Sequence, residues 1–349
     1  MIEHDLITST GKRGTHGEVI VFLFEKCNLN CMFCTQDHSS TIGMNRIQEK
    51  FDDVVKSIET QYVFGKRDFS VHLMGGELLA DDIPDNIFNQ YVDLILNIQA
   101  WGKIKKYPIE PTIVTNFVFD NRERVDKLLE QLPDLTLFTS YDPSGRFNND
   151  TLETFKENVI YYKDRIKAAS VVMTKPSMKK FMDGRAEFFD YLYKNFRINF
   201  DYYTEITDGV RAKNYVQADA LAKLQATDVE IRDFMKFMLD NYPNCGPWDQ
   251  YLTSTKKSMT CQDTAYISAD GTRGRCVFTY DSEEKYKQVK GELEQKWFED
   301  YDCLSCKYYD RCSFGCFIAN HNTGFRTQEP CWLSEVYDHV EQTRSVSDK

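Results

Sequence analysis

The chain has 349 residues, 42% hydrophobic and 14% aromatic, with a formal charge of −11. That length exceeds one average domain and can bury a sizeable core, while the acidic balance excludes general attraction to nucleic acid. No apolar run approaches a membrane span and no basic-then-apolar signal opens the chain, so a cytoplasmic protein without membrane attachment is expected.

Strand and helix patterns alternate over the first two-thirds. Val19–Glu25 is apolar and rich in β-formers, and Ile47–Thr60 follows with helical periodicity. Strands are predicted at Phe69–Met74, Pro111–Asn116, Thr136–Ser140, Ala168–Thr174 and Ile198–Glu205. Helices are predicted at Asp82–Ala100, Arg122–Leu132, Asp150–Asp164 and Met178–Asn195. Repeated strand–helix units of this size imply a parallel sheet, and six of them an open or partial barrel with ligands at the carboxyl ends of the strands. After Thr207 the pattern changes. Val229–Tyr242 reads as a bridging helix, and Thr264–Ser268 and Arg275–Tyr280 as a hairpin turning at Gly271. The division expected is 1–209 for the barrel, 210–244 for a helical bridge and 245–349 for a cysteine-rich unit.

Eleven cysteines are distributed unevenly. In a reducing compartment such clusters mean metal more often than disulfides. Cys27, Cys31 and Cys34 share one loop after the first strand, spaced C-x3-C-x2-C. A 4Fe–4S cube takes four ligands, so three leave one iron open to a small molecule. Zinc with His38 as fourth ligand is the alternative. Cys261, Cys276, Cys303, Cys306, Cys312, Cys316 and Cys331 lie at the back, with Cys245 ahead of them.

The front motif, with Phe33 before its third cysteine, resembles that of the radical SAM superfamily. The resemblance implies an α/β fold, a partial (β/α)6 TIM-type barrel, with S-adenosylmethionine chelating the open iron and giving a 5′-deoxyadenosyl radical on one-electron reduction. Met74-Gly75-Gly76-Glu77 is similar to the GGE segment of that family: the glycines would admit the methionine moiety and Glu77 would accept from its ammonium. Asn116 ends the third strand, where Phe117 stands in place of a glycine common in relatives. Ser140, in a Ser-x-Asp segment, is the expected ribose contact, Arg146 a partner for the methionine carboxylate, and Val171–Thr174 an apolar adenine contact.

The seven rear cysteines resemble those of a SPASM domain carrying two auxiliary 4Fe–4S clusters. The resemblance implies Cys303, Cys306, Cys312 and Cys331 on the outer cluster. It places Cys261, Cys276 and Cys316 on the inner one, with Cys245 as its fourth ligand or substrate at an open iron. A double zinc ribbon is the alternative. Three clusters would require a one-electron reductant such as flavodoxin or ferredoxin.

Substrate is less legible. SPASM enzymes best known act on peptides and proteins, by crosslink, thioether or formylglycine formation. The acidic base adjoining the hairpin cysteine in sulfatase maturases is Val277 here. Fewer than 20 residues precede the first strand, so leader binding is expected to be absent, supplied separately or built otherwise. Alternation on the sixth strand points Asp201, Tyr203 and Glu205 inward as base or substrate contacts. His72 joins them as an inward candidate, and Tyr141 and Asp142 lie near the ribose loop. Beside a peptide modifier stand the same chemistry on a small molecule or modified nucleic-acid base, and a multi-cluster electron carrier.

Overall fold

In the computed structural model, residues 15–34, 36–203, 223–246, 264–274, 291–292, 295–312 and 331–347 are described. Six strand–helix units follow one another. β1 (His16–Phe22), β2 (Asp68–Met74), β3 (Ile109–Thr115), β4 (Thr136–Ser140), β5 (Ile166–Met173) and β6 (Arg197–Tyr202) are the strands. The helices between them are α1 (Lys50–Val63), α2 (Asp85–Lys105), α3 (Arg122–Gln131), α4 (Asn149–Tyr161), α5 (Lys175–Met182) and α6 (Phe189–Asn195). Every neighbouring pair from β1 to β6 is parallel and in chain order, each strand returning beside the last through its helix.

Strand alternation divides the sheet into two faces. Along β1 and just past it, the outward Val19, Val21 and Leu23 are wholly buried under the helices, while Glu18 and Ile20 face the lumen half-buried. On β6, Ile198 and Phe200 pack outward, the latter edge-on to Phe181, Phe189 and Phe234, and Asp201 is open to the lumen. This polar inner face explains why β1 begins three residues before the apolar run: His16 and Glu18 belong to the strand but not to the core.

The helices begin where local chemistry satisfies their first amides. Asn148 and Thr151 form a reciprocal capping box on α4, Asn121 caps α3, and Thr174 caps α5 ahead of Pro176. The single helix expected over Met178–Asn195 is two helices. Gly184 (φ +67°) closes α5 and Phe188 (φ +71°) opens α6, and neither left-handed residue continues a helix.

α7 (Asp228–Asn241) opens on a second capping box, Thr227 with Glu230, and leads to Cys245 and Gly246, which bridges Asn199 on β6. β7 (Thr264–Ile267) and β8 (Arg273–Gly274) form the described part of the hairpin, with Gly271 at φ +91° in its turn. β7 pairs parallel with β1, Glu18 opposite Thr264, so the sheet runs β6-β5-β4-β3-β2-β1-β7-β8 and continues past residue 245. Helix α1 and the turn before it grip the hairpin turn: buried Lys50 donates to the Ser268 and Ala269 carbonyls, and Arg46 to that of Asp270. The C-terminal helix α8 (Trp332–Ser347) lies on α7, tied by Arg232 and Lys236 to Glu335 and by His339 to Asp240. No helix among the described residues is long and apolar enough to cross a membrane.

Candidate functional site

The carboxyl ends of β1, β2 and β3 converge. The chain leaving β1 runs beside the β2–α2 loop, with Gly76 N–H donating to Phe24 O (2.8 Å) and Glu77 N–H to Lys26 O (3.0 Å). A Cβ at Gly76 would stand 1.8 Å from Lys26 O, and one at Gly75 would stand 2.4 Å from Phe24 O. The glycines are therefore required here by backbone meeting backbone, one residue before Cys27.

Glu77 is fully buried, and its carboxylate brackets two loops. Oε1 accepts from Leu79 N–H and Thr115 Oγ1–H, and Oε2 from Asn116 N–H. Burial raises its carboxyl against those three bonds. Asn116 carries the brace onward, its Nδ2 donating to Asn28 Oδ1 at 2.9 Å and lying 3.8 Å from Cys27 Sγ. Phe117 takes the left-handed backbone that a glycine would hold without strain, at φ +56°. That costs about 1–2 kcal/mol. Complete burial of its ring beside Phe119 and Tyr162 offsets it, at about 2–3 kcal/mol for such a side chain.

The three front thiols lie on one loop, Cys34 N–H donating to Cys31 O at 3.1 Å, near enough for Cys31 and Cys34 to act on Cys27. Burial pushes Cys27 up to about 12, with the charge of Glu77 and its neighbours Cys31 and Cys34 adding to it. Burial also raises Cys31. Left alone such thiols stay protonated, so a donor set of this kind fits a cationic iron–sulfur core that ionises them on binding. His38 hydrogen-bonds Asn30 through Nδ1 at 2.9 Å. Among the described residues no three His, Cys, Asp or Glu side chains are placed to hold one metal ion, the front thiols and His38 alike.

Across the rim, Met32 N–H donates to Gly145 O, tying the cysteine loop to the β4–α4 loop. Arg146 lies over the Phe33 ring at 5.2 Å, its Nε on Asp142 Oδ2 at 2.8 Å. Asp142 is buried and also accepts from Val172 N–H, so it acts here as the anchor of Arg146. Tyr141 points the other way, into the helical layer against Phe147 and Phe155 with its hydroxyl on Glu187 O. Both residues are buried, with their side-chain oxygens bonded within the protein. Ser140 ends β4 half-buried. Of Val171–Thr174, only Val172 faces inward, in an apolar cluster with Phe33, Tyr203 and Leu224. Val171 and Met173 pack outward, and Thr174 caps α5.

Below the rim lie Asp201, His72 and Glu18. Asp201 is accessible but surrounded by protein, and desolvation raises its carboxyl to about 6, with Asp142 and Glu18 adding to the rise and a bond to Ser170 opposing it. Glu18 was not anticipated from sequence; the signal was there in the polar His16 and Glu18 set two apart ahead of buried Val19 and Val21. Glu205 lies outside the described residues, as do Cys261, Cys276, Cys316 and Val277.

At the rear, the loop holding Cys303 and Cys306 meets Cys331 at the head of α8. Burial raises Cys303 to about 12 and Cys331 to about 11, and the charges of Cys306 and of each other's loop add to both. Cys312 is buried nearby in sequence, and Trp297, Tyr301 and Tyr308 wall the region. Cys245 is wholly buried in the core at the edge of β6.

No family model matches the sequence, and no curated protein matches it. Solved structures do. The anaerobic sulfatase maturing enzyme anSMEcpe with bound AdoMet aligns over 95% of this chain and 97% of its own, with TM-score 0.61 and 13% identity. The same enzyme with AdoMet and the Cp18Cys peptide aligns equally, at TM-score 0.61 and 14% identity. Streptococcus suis SuiB bound to its precursor peptide SuiA aligns over 91% of this chain and 76% of its own, at TM-score 0.52 and 14% identity. At such identities the likeness is one of fold: an α/β fold built on a parallel sheet.

Proposed function

We propose that this chain is a radical SAM enzyme of the SPASM branch that oxidatively modifies a peptide or protein. The loop of Cys27, Cys31 and Cys34, lying beside the Gly75–Glu77 turn, Asn116 and the Arg146 loop at the carboxyl ends of parallel strands, carries the reading. The shared fold with enzymes solved with AdoMet and with peptides supports it. A three-ligand 4Fe–4S cluster there would supply the electron that cleaves S-adenosylmethionine and so the radical that takes hydrogen from substrate.

The residues around it have separable tasks. The Glu77 bracket fixes the cysteine loop against β3. Arg146, held by Asp142, offers its remaining N–H groups toward a carboxylate. Val172 and Phe33 provide an apolar wall for adenine, and Ser140 a hydroxyl for ribose. Cys303, Cys306, Cys312 and Cys331 would hold the outer auxiliary cluster, and Cys261, Cys276 and Cys316 the inner, with Cys245 as fourth ligand. Flavodoxin or ferredoxin would supply electrons.

Anaerobic reconstitution tests this. Dithionite and S-adenosylmethionine should yield 5′-deoxyadenosine. Replacing Cys27, Cys31 and Cys34 together with Ala should abolish it and remove about one third of the iron. Loss of all iron, or undiminished cleavage, contradicts the assignment. Cys245→Ser should lower iron further only if that thiol ligates.

A further inference from the structure

The amino-terminal end of the sheet, opposite the cysteine loop, carries side chains that neither the core nor the candidate site uses. α1 ends at Val63 and α2 at Lys105, just before β2 and β3 begin. Val63 (81% exposed), Ile104 (79%) and Phe64 (71%) are three of the four most exposed large apolar side chains among the described residues. The two helix ends touch. Tyr62 lies against Tyr107 with ring centroids 4.6 Å apart, and Lys105 reaches Glu59 at 3.5 Å. Val63, four residues after Glu59, stands over that contact, and Ile104 adjoins it from α2. Apolar side chains scattered singly are ordinary on a surface, but a group gathered on one edge is not.

The same edge is basic in a chain whose formal charge is −11. Lys103, Lys105 and Lys106 stand exposed at the end of α2. Arg67 lies over the Tyr62 ring at 4.3 Å, its guanidinium on the Tyr62 and Lys66 carbonyls. Lysines in the last turn of a helix answer its dipole, so alone they would indicate nothing. Here only Lys105 has an acidic partner, and Arg67, Lys103 and Lys106 have none among the described residues. The edge also protrudes: a Cβ at Gly65, next to Phe64, would meet nothing within 4 Å. A rigid protein partner would need a pocket for each bare side chain, whereas a bilayer interface yields around them. A second copy related by a two-fold axis would set cation against cation.

We propose that this edge docks on an anionic phospholipid surface, with Val63, Phe64 and Ile104 entering the headgroup boundary and Arg67, Lys103 and Lys106 on the lipid anions. Apolar tips and flanking cations are the two parts of interfacial binding, and three such cations supply about a hundredfold in affinity. The inference goes beyond the radical reading and does not depend on it. It reverses the sequence expectation of no membrane attachment, because residues 62–67 and 103–106 meet only in the fold. Docking here leaves the Glu77 and Asn116 loops, at the opposite ends of β2 and β3, turned away from the lipid.

The test sediments the full chain with vesicles of phosphatidylcholine alone, or of phosphatidylcholine and phosphatidylserine in equal parts. Binding to the anionic vesicles should be at least about tenfold tighter and should weaken as salt is raised. Phe64→Ser combined with Ile104→Ser should lower it about tenfold, as should Lys103→Glu combined with Lys106→Glu. Phe64→Trp should keep binding, its emission moving to the blue on the vesicles. Leu304→Ser, which removes an equally bare side chain from the rear region, should leave binding unchanged. Equal affinity for the two kinds of vesicle, no sedimentation with either, or full binding by either double variant overturns the proposal. So does binding of soluble polyglutamate as tight as that of the vesicles, which would assign the edge to an acidic protein.

Discussion

The two cysteine regions are held in place by different means. The front loop is an extension of the sheet: its partners are backbone groups of Phe24 and Lys26, two glycines without room for a methyl, and one buried carboxylate. The described rear region is held by side chains. Tyr308 stacks on Tyr337 with centroids 5.0 Å apart, and its hydroxyl proton is shared between Asp338 and Glu341, which Lys307 and Arg311 neutralise from outside. A loop fixed by backbone tolerates almost no substitution. One fixed by a surface network tolerates many small losses. Under the proposed function the first arrangement would suit a cofactor that must meet S-adenosylmethionine in one geometry, and the second a cluster that passes electrons.

The largest effect should come from Gly76→Ala. Its methyl would meet Lys26 O at 1.8 Å and Glu25 O at 2.4 Å, and both are backbone. Iron bound at the front should fall by about one third of the total, with a destabilisation of about 4 kcal/mol in urea. Wild-type iron and midpoint would show that the loop is pliable after all, and the contrast would fail. Glu77→Gln comes next. One of three donors, Leu79, Thr115 or Asn116, would then face an amide N–H. A loss of about 2 kcal/mol is expected, with weakened retention of the front cluster.

Much of this was legible in the sequence, for physical reasons that also set its limits. Cysteine spacing is a covalent fact, and it keeps Cys27, Cys31 and Cys34 on one loop at the end of β1. Strand alternation placed Asp201 inward, because β6 has buried Ile198 and Phe200 on its other face. What failed to show was pairing remote in sequence. Nothing local says that β7 will join β1 across 246 residues, or that Thr264 will meet Glu18. The direction of Glu77 was equally hidden. A Gly-Gly-Glu turn can aim its carboxylate at a ligand or at its neighbours, and Thr115 and Asn116 decide which. Phe117 is the reverse case. Its side chain argues against a left-handed backbone, but packing against Phe119 and Tyr162 overrules it.

Tyr308→Phe should cost less, about 1 kcal/mol, since the ring stack remains and the two carboxylates keep their cations. Rear-cluster iron should be retained. A loss as large as that of Glu77→Gln would mean that the rear network is as intolerant as the front loop.

The smallest effects separate the regions by sign. Lys307 and Tyr308 hold the Asp338 carboxyl below the usual range. Its contribution is therefore present above the unfolded value of about 4 and lost as pH falls through the lower folded value. Asp338→Asn should cost about a few tenths of a kcal/mol at neutral pH, being half-exposed, and nothing in acid. Burial shifts Glu77 the other way, so the folded chain binds its proton first as pH falls, and wild-type stability rises through that window. The amide introduced by Glu77→Gln cannot titrate, so the penalty of that substitution should grow on acidification while that of Asp338→Asn shrinks. Urea midpoints of both variants and wild type, followed from pH 7 down to about 3.5, read both slopes at once. Parallel slopes would place the two carboxylates in the same kind of environment and dissolve the distinction between a buried bracket and a surface network.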